Sequence, residues 1–257
     1  MSATVHPTTM SYKEMAGQWV PRWLYELTLG LFRNTHRTYS QYGQDAVLLS
    51  YLRRRHWEAG IPTGLGRYLE IGSFLPVTHS NTYGLYRRGW SGVTVEAMPH
   101  TAAAFKLLRP RDRHLALAVA PTAGTLTFYH WGDVNGFNTA SEAQAEIGAR
   151  QLGREPEKIT VRAQTLSQII DDNCDLLPEI DLLSMSVGGV DFAVLSSNDW
   201  DRHRPKIITT QVFEAHCDRA VSSPTYRLLT DKGYRLYAWT PPCLIFLRGD
   251  QFPFRGS

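Results

Sequence analysis

Residues 68–76 read Tyr68-Leu69-Glu70-Ile71-Gly72-Ser73-Phe74-Leu75-Pro76, and residues 92–96 read Gly92-Val93-Thr94-Val95-Glu96. Both are short apolar runs, and Asn81 to Arg88 between them has helical spacing. A strand, a loop entering a helix and a second strand form one crossover unit with parallel strands. The alternation continues along the chain. His100 to Leu108 reads as a helix, Leu115 to Val119 as a third strand, and Gly124 to His130 as a period-2 strand. Further helices are expected in Ala140 to Leu152, Leu166 to Asn173, Phe192 to Ser196 and Pro224 to Lys232. Further strands are expected at Ile159 to Val161, Asp181 to Met185 and Lys206 to Phe213. Arg235 to Trp239 and Leu244 to Arg248, joined through Thr240-Pro241-Pro242, read as an antiparallel hairpin. The fold class is α/β: a mostly parallel central sheet covered on both faces, with an antiparallel C-terminal hairpin.

Ahead of this unit, Gln44 to Trp57 is an amphipathic helix that buries Val47, Leu48, Tyr51 and Leu52, followed by a loop with Gly60, Pro62, Gly64 and Gly66. Nearer the start, Met15, Trp19, Trp23, Leu27 and Leu31 recur at every fourth position, with Pro21 as an interruption. The Trp19/Trp23 stripe suits packing on the body of the protein, a homodimer contact, or peripheral contact with a membrane surface. We expect residues 1–38 to form a leader and N-terminal helical extension, and residues 39–257 to form one α/β domain.

Composition narrows the partners. The 257 residues are 43% hydrophobic and 20% charged, with a formal net charge of +3. The densest basic run, Arg53-Arg54-Arg55-His56, ends a helix, where cations complement the dipole, so nucleic acid is not an expected partner. Three cysteines without a Cys-x-x-Cys pair argue against a disulfide framework or structural zinc, and suit the reducing cytoplasm. No apolar run approaches the roughly 20 residues of a transmembrane span, and Met1 to Met10 lacks the character of a signal peptide.

A ligand of an open parallel sheet lies beyond the carboxyl ends of its strands. The first loop has a single glycine, Gly72, and no Gly-Lys-Ser/Thr follows, so neither diphosphate cradle is present. Glu96 ends the second strand, where a carboxylate can accept hydrogen bonds from the two hydroxyls of a ribose. Read by itself it also fits a solvated acid. Together the two features suit a nucleoside without a diphosphate, of which S-adenosylmethionine is the commonest cofactor example.

Several runs, in consistent order from Tyr39 to Leu247, carry a family resemblance. Tyr39-Ser40-Gln41-Tyr42-Gly43-Gln44-Asp45, the 68–76 loop, Ser80-Asn81-Thr82-Tyr83, Leu85 to Gly92 with Val95-Glu96-Ala97, Leu126 to Tyr129, Asn138-Thr139, and Leu195 to Trp200 with Arg204-Pro205-Lys206 resemble the FkbM-type methyltransferases. The resemblance implies a Rossmann-like methyltransferase fold and S-adenosylmethionine-dependent methyl transfer to a hydroxyl of a saccharide, polysaccharide precursor or related metabolite. It implies Glu70, Gly72 and Ser73 along the methionine side of the cofactor, Glu96 at the ribose and Ala97 with Met98 near the adenine. Gln41, Asp45, Asn81 and Thr82 would close the pocket. Asp45 and Glu70 would be placed to meet the cofactor's ammonium.

The family pattern Asp-Val-Glu-Gly-x-Asp meets Ser186-Val187-Gly188-Gly189-Val190-Asp191 in this chain. Both upstream acids are absent. Methyl transfer to a hydroxyl needs in-line placement and a base for the proton. The candidate catalytic residues are Ser186 at the altered position and His79 or His216 as substitute bases; no metal is expected. Two functional expectations follow: an O-methyltransferase, or a catalytically reduced S-adenosylmethionine-binding relative serving as a partner subunit. A third, another Rossmann-type nucleotide binder, is disfavoured by the missing phosphate loops.

Overall fold

The computed structural model describes residues 38–59, 65–132, 135–214 and 216–251. The chain divides between Arg37 and Thr38 into two units, and the described residues fall in the second; the Trp19/Trp23 segment lies outside them. Ten strands are described: β1 (Arg67–Ile71), β2 (Ser91–Glu96), β3 (Arg113–Ala116), β4 (Ala118–Val119), β5 (Gly124–His130), β6 (Glu157–Gln164), β7 (Leu182–Met185), β8 (Ile207–Gln211), β9 (Tyr234–Thr240) and β10 (Cys243–Arg248). The helices are α1 (Gln44–Ala59), α2 (Tyr83–Tyr86), α3 (Thr101–Leu108), α4 (Glu142–Leu152), α5 (Leu166–Asp172), α6 (Asp191–Ser196), α7 (Cys217–Ala220) and α8 (Pro224–Asp231).

Seven strands form the main sheet in the order β3-β2-β1-β7-β8-β10-β9. β1, β2, β3, β7 and β8 run parallel, and β10 lies antiparallel between β8 and β9. The order reverses between β1 and β7, the switch point at which such sheets open a crevice for a ligand. The α/β expectation is met, hairpin included.

Two details differ from the pattern reading. The strand expected over Leu115 to Val119 divides at Leu117: β3 stays in the main sheet while β4 joins a second, three-stranded sheet of order β4-β6-β5. The cause is a change of core. Ala118 packs with Ala97, Met98, Phe128, Val161 and Ala163 rather than under the main sheet. The strand expected over Ile159 to Val161 extends over Glu157–Gln164, because β5 pairs along its whole length and its polar residues face outward.

The period of two along each strand sorts the main sheet's faces. Leu69, Ile71, Val93, Val95, Leu183 and Met185 face Ile169 of α5, Leu195 of α6 and Leu229 of α8. Tyr68, Leu182, Ile207 and Ile245 face Leu48 and Tyr51 of α1 with Leu85 and Tyr86 of α2. On this second face, one layer below the strand tips, the register aligns Thr94, Glu70, Ser184 and Thr209 across four adjacent strands. A polar row in the middle of a sheet is tolerated only when its groups are hydrogen-bonded. Thr94 Oγ1 meets His114 Nδ1 at 2.9 Å, and Thr209 Oγ1 donates to Ser184 Oγ at 3.2 Å.

Glu70 is satisfied by Arg109, which follows α3 and has 0% of its surface exposed. Arg109 Nη1 lies 2.9 Å from Glu70 Oε2, and its Nε lies 2.6 Å from Asp112 Oδ2. Its remaining donors reach Tyr68 Oη at 2.9 Å and Thr82 Oγ1 at 2.7 Å. Burial opposes the guanidinium charge, but the Glu70, Tyr68 and Asp112 oxygens outweigh it and move its pKa up. Asp112 moves up as well, because burial exceeds the help it receives from Arg109.

Arg109→Met leaves two buried carboxylates facing no cation. We expect it to lose about 3–5 kcal/mol of stability in urea unfolding, with little recovery in Arg109→Lys, which lacks the planar fork. His114 gives a pH signature. Burial, then the nearby Arg109 charge, lowers its pKa from 6.5 to about 4. Between those values the unfolded chain binds a proton that the native chain refuses, so stability falls as pH drops through that window. Urea midpoints measured across it should show this slope, and His114→Gln should flatten it.

Candidate active site

The tips of β1 and β7 meet backbone to backbone. Ser186 N donates to Ile71 O at 2.9 Å, while Gly72 N and Ser73 N donate to Val95 O at 2.9 and 3.0 Å. Gly72 has φ +69°, and a Cβ there would stand 1.9 Å from the Ser186 carbonyl oxygen. Only glycine permits this approach. Because Glu70, Ser184 and Thr209 share one face, the residues two further on share it too. Gly72, Ser186 and Gln211 therefore line a cleft above the polar row, with Cys243 paired to Gln211 at its floor.

Of the residues expected at the site, Gln41, Glu70, Gly72, His79, Asn81 and Ser186 line this cleft. Gln44 and Ile71 line it as well, and so do Ser184, Gln211 and Cys243, which the pattern reading left out. The signal for the last three is sheet register, which no single segment displays. Gln44 Nε2 donates to Cys243 Sγ at 2.9 Å, and burial pushes the thiol pKa up to about 11. His79 (φ +62°) and Phe74 (φ +51°) both hold left-handed backbone, and their rings stack at 5.9 Å. Such strain in non-glycine residues persists only where the surroundings fix it, and it concentrates at functional sites.

Other expected residues have different surroundings. The Glu70 carboxylate accepts from Ser80 Oγ (3.1 Å), Asn81 N (3.0 Å), Thr82 Oγ1 (2.6 Å) and Arg109 Nη1 (2.9 Å). Asp45 accepts from Tyr39 N and Ser40 Oγ, each at 2.7 Å, as well as from Thr38 Oγ1 and Ala46 N. Both acids, expected to meet a ligand's ammonium, are thus engaged by protein donors that fix the loops around them. Thr82 belongs to the same buried network, and Ser73 Oγ donates to Val95 O at 3.3 Å. Ala97 and Met98 pack beneath the second sheet. His216 is exposed at the start of α7 and does not line the cleft.

Glu96 is not a solvated acid: only 8% of its surface is exposed. Its Oε2 accepts from Phe74 N at 2.9 Å and its Oε1 from Met98 N at 3.1 Å. Burial raises its pKa, against the pull of those backbone donors. The Ala97 N–H acts on it as well, which leaves the carboxylate acceptor capacity for a further donor.

The 186–191 turn is built without the two acids. Gly188 has φ +62° and Gly189 φ +96°. Thr139 Oγ1 donates to the Gly188 carbonyl at 3.1 Å, tying the second sheet to the turn. Asp191, buried and with its pKa raised by that burial, accepts from Thr210 Oγ1 at 3.2 Å and from Gln211 N at 3.1 Å. Among the described residues no group of His, Cys, Asp and Glu side chains is arranged to hold a metal ion.

This crevice opens at the switch point between β1 and β7, within the residues of a family match. Residues 67–236 match the model of the methyltransferase FkbM domain. The chain belongs to the FkbM methyltransferase family. Among solved structures, a methyltransferase FkbM from Methylobacillus flagellatus KT is similar with a TM-score of 0.40 and 8% identity, covering 81% of this chain and 56% of that one. This chain thus spans little more than half the length of that FkbM protein. A TehB-like SAM-dependent methyltransferase from Corynebacterium glutamicum is similar with a TM-score of 0.36 and 11% identity, covering 88% and 96%. No curated protein matches the sequence. No described helix is long and apolar enough to cross a membrane.

The turn geometry sets an expectation for restoring the family pattern. A glutamate at 188 must take left-handed backbone, at about 1–2 kcal/mol, with its Cβ 3.1 Å from Thr139 Oγ1. Gly188→Glu should lose that much in urea unfolding, whereas Ser186→Asp, at a residue without positive φ, should lose less.

Proposed function

We propose that this FkbM methyltransferase is an S-adenosylmethionine-dependent O-methyltransferase acting on a hydroxyl of a saccharide or related metabolite. The observation that supports it most directly is Glu96, a buried carboxylate at the tip of β2 that backbone donors hold in place with acceptor capacity left for a ribose hydroxyl. The sequence fits the cofactor in one further respect: no phosphate cradle competes for the position. Bound there, S-adenosylmethionine would supply a methyl group activated by a sulfonium.

The chain's own residues then have separable tasks. Glu96 accepts the ribose hydroxyls, and Gln41, Gly72 and Asn81 shape the amino-acid end. Of the three candidate catalytic residues, His79 and Ser186 share the cleft, and imidazole is the side chain suited to taking a proton near neutral pH. Ser186 is a hydrogen-bonding group rather than a base. Two exposed thiols, Cys174 and Cys217, accord with residence in the reducing cytoplasm. The N-terminal extension would serve contact with a second copy or a membrane surface.

A second reading is favoured by the 186–191 turn, which is fully tied without a carboxylate at 186 or 188: a relative that binds S-adenosylmethionine but serves as a partner subunit. Calorimetry on the full chain is the first test. We expect S-adenosylmethionine to bind, and Glu96→Gln to weaken it about tenfold or more, as for loss of a hydrogen bond to a charged group. Absence of binding by the wild type sinks both readings. Transfer of labelled methyl to nucleotide sugars then separates an enzyme from a silent binder.

A further inference from the structure

The most specific unassigned group in the cleft is Ser184. It sits on β7 between Glu70 and Thr209, with 1% of its surface exposed, and it lines the cleft. Its oxygen accepts from Asn81 Nδ2 at 3.0 Å and from Thr209 Oγ1 at 3.2 Å. A serine hydroxyl has two lone pairs and one proton. Both lone pairs are occupied, and the proton has no acceptor among the described residues. A buried donor needs a partner, and the open side is the cleft. Two donors pointing at the same oxygen also polarise the hydroxyl and strengthen what it gives.

We infer that Ser184 donates this hydrogen bond to a ligand carboxylate, which in the cofactor reading above is the α-carboxylate at the amino-acid end. Among the described residues no Lys or Arg lines the cleft, so an anion entering it depends on neutral donors. Glu70 does not repel it, because Arg109 stands 2.9 Å from its carboxylate. A proton from a polarised hydroxyl to a carboxylate is the short, charge-assisted kind of bond. The anchor is thus the hydroxyl of β7, while Glu70 holds the loop.

The test is calorimetry of the full chain with S-adenosylmethionine and with decarboxylated S-adenosylmethionine, which lacks only the carboxylate. Ser184→Ala is nearly isosteric, and Thr209→Val, which removes the hydroxyl behind Ser184 but leaves its proton, controls for disturbance of the row. We expect Ser184→Ala to weaken S-adenosylmethionine by about tenfold to a hundredfold and to leave the decarboxylated ligand within about twofold; Thr209→Val should affect the first ligand much less. An equal loss for both ligands, or no loss for either, overturns the assignment while the cofactor reading stands. A wild type that binds neither ligand overturns the cofactor reading itself, and the assignment with it.

Discussion

Arg109 has no contact with solvent, yet the geometry of the cleft depends on it. A guanidinium offers a planar fork of donors, and here the fork joins three parts of the chain: β1 through Glu70 and Tyr68, the segment after α3 through Asp112, and the 80–82 loop through Ser80 and Thr82. The rings of Tyr68, Tyr86 and Phe105 surround it, at 5.3 to 5.6 Å from its central carbon. Such a cluster is weak evidence for net stability, since desolvation offsets attraction. Its effect is positional: Asn81, placed by the loop that Glu70 holds, is directed at Ser184.

Site geometry follows from the sheet by simple steps. A period of two puts Glu70, Ser184 and Thr209 on one face, and the same period repeats one layer higher in Gly72, Ser186 and Gln211. The contact between Gly72 and the Ser186 carbonyl then fixes how closely the two tips approach. Into this frame the second sheet adds one connection, from Thr139 to the Gly188 carbonyl.

The fold was legible in the sequence because its signals are local: short apolar runs, helical spacing between them and a proline-linked hairpin. Part of the site was legible for the same reason, since Gly72 and Glu96 stand at strand ends that can be counted. The Arg109 cluster was not. Arg109-Pro110-Arg111-Asp112-Arg113 has the composition of a solvated loop, and nothing in it announces a buried ion pair with a residue on β1. Gln211 and Cys243 belong to strands far apart in the chain, and their meeting depends on the antiparallel register of β8 and β10. Asp45 and Glu70, expected to meet a ligand's ammonium, are engaged by protein donors because burial demands partners for both oxygens.

The position of β10 has a consequence for how the protein comes into being. It is the last strand described in the chain, yet it lies inside the sheet between β8 and β9 and brings Cys243 to the cleft floor. During synthesis β1, β2, β7 and β8 can pair before it emerges, leaving the far edge of β8 bare. The crevice therefore gains its floor only once β10 has emerged, and a chain halted before residue 243 would display an unpaired strand edge in its place. The cleft would then be complete only in a chain whose β10 has inserted between β8 and β9.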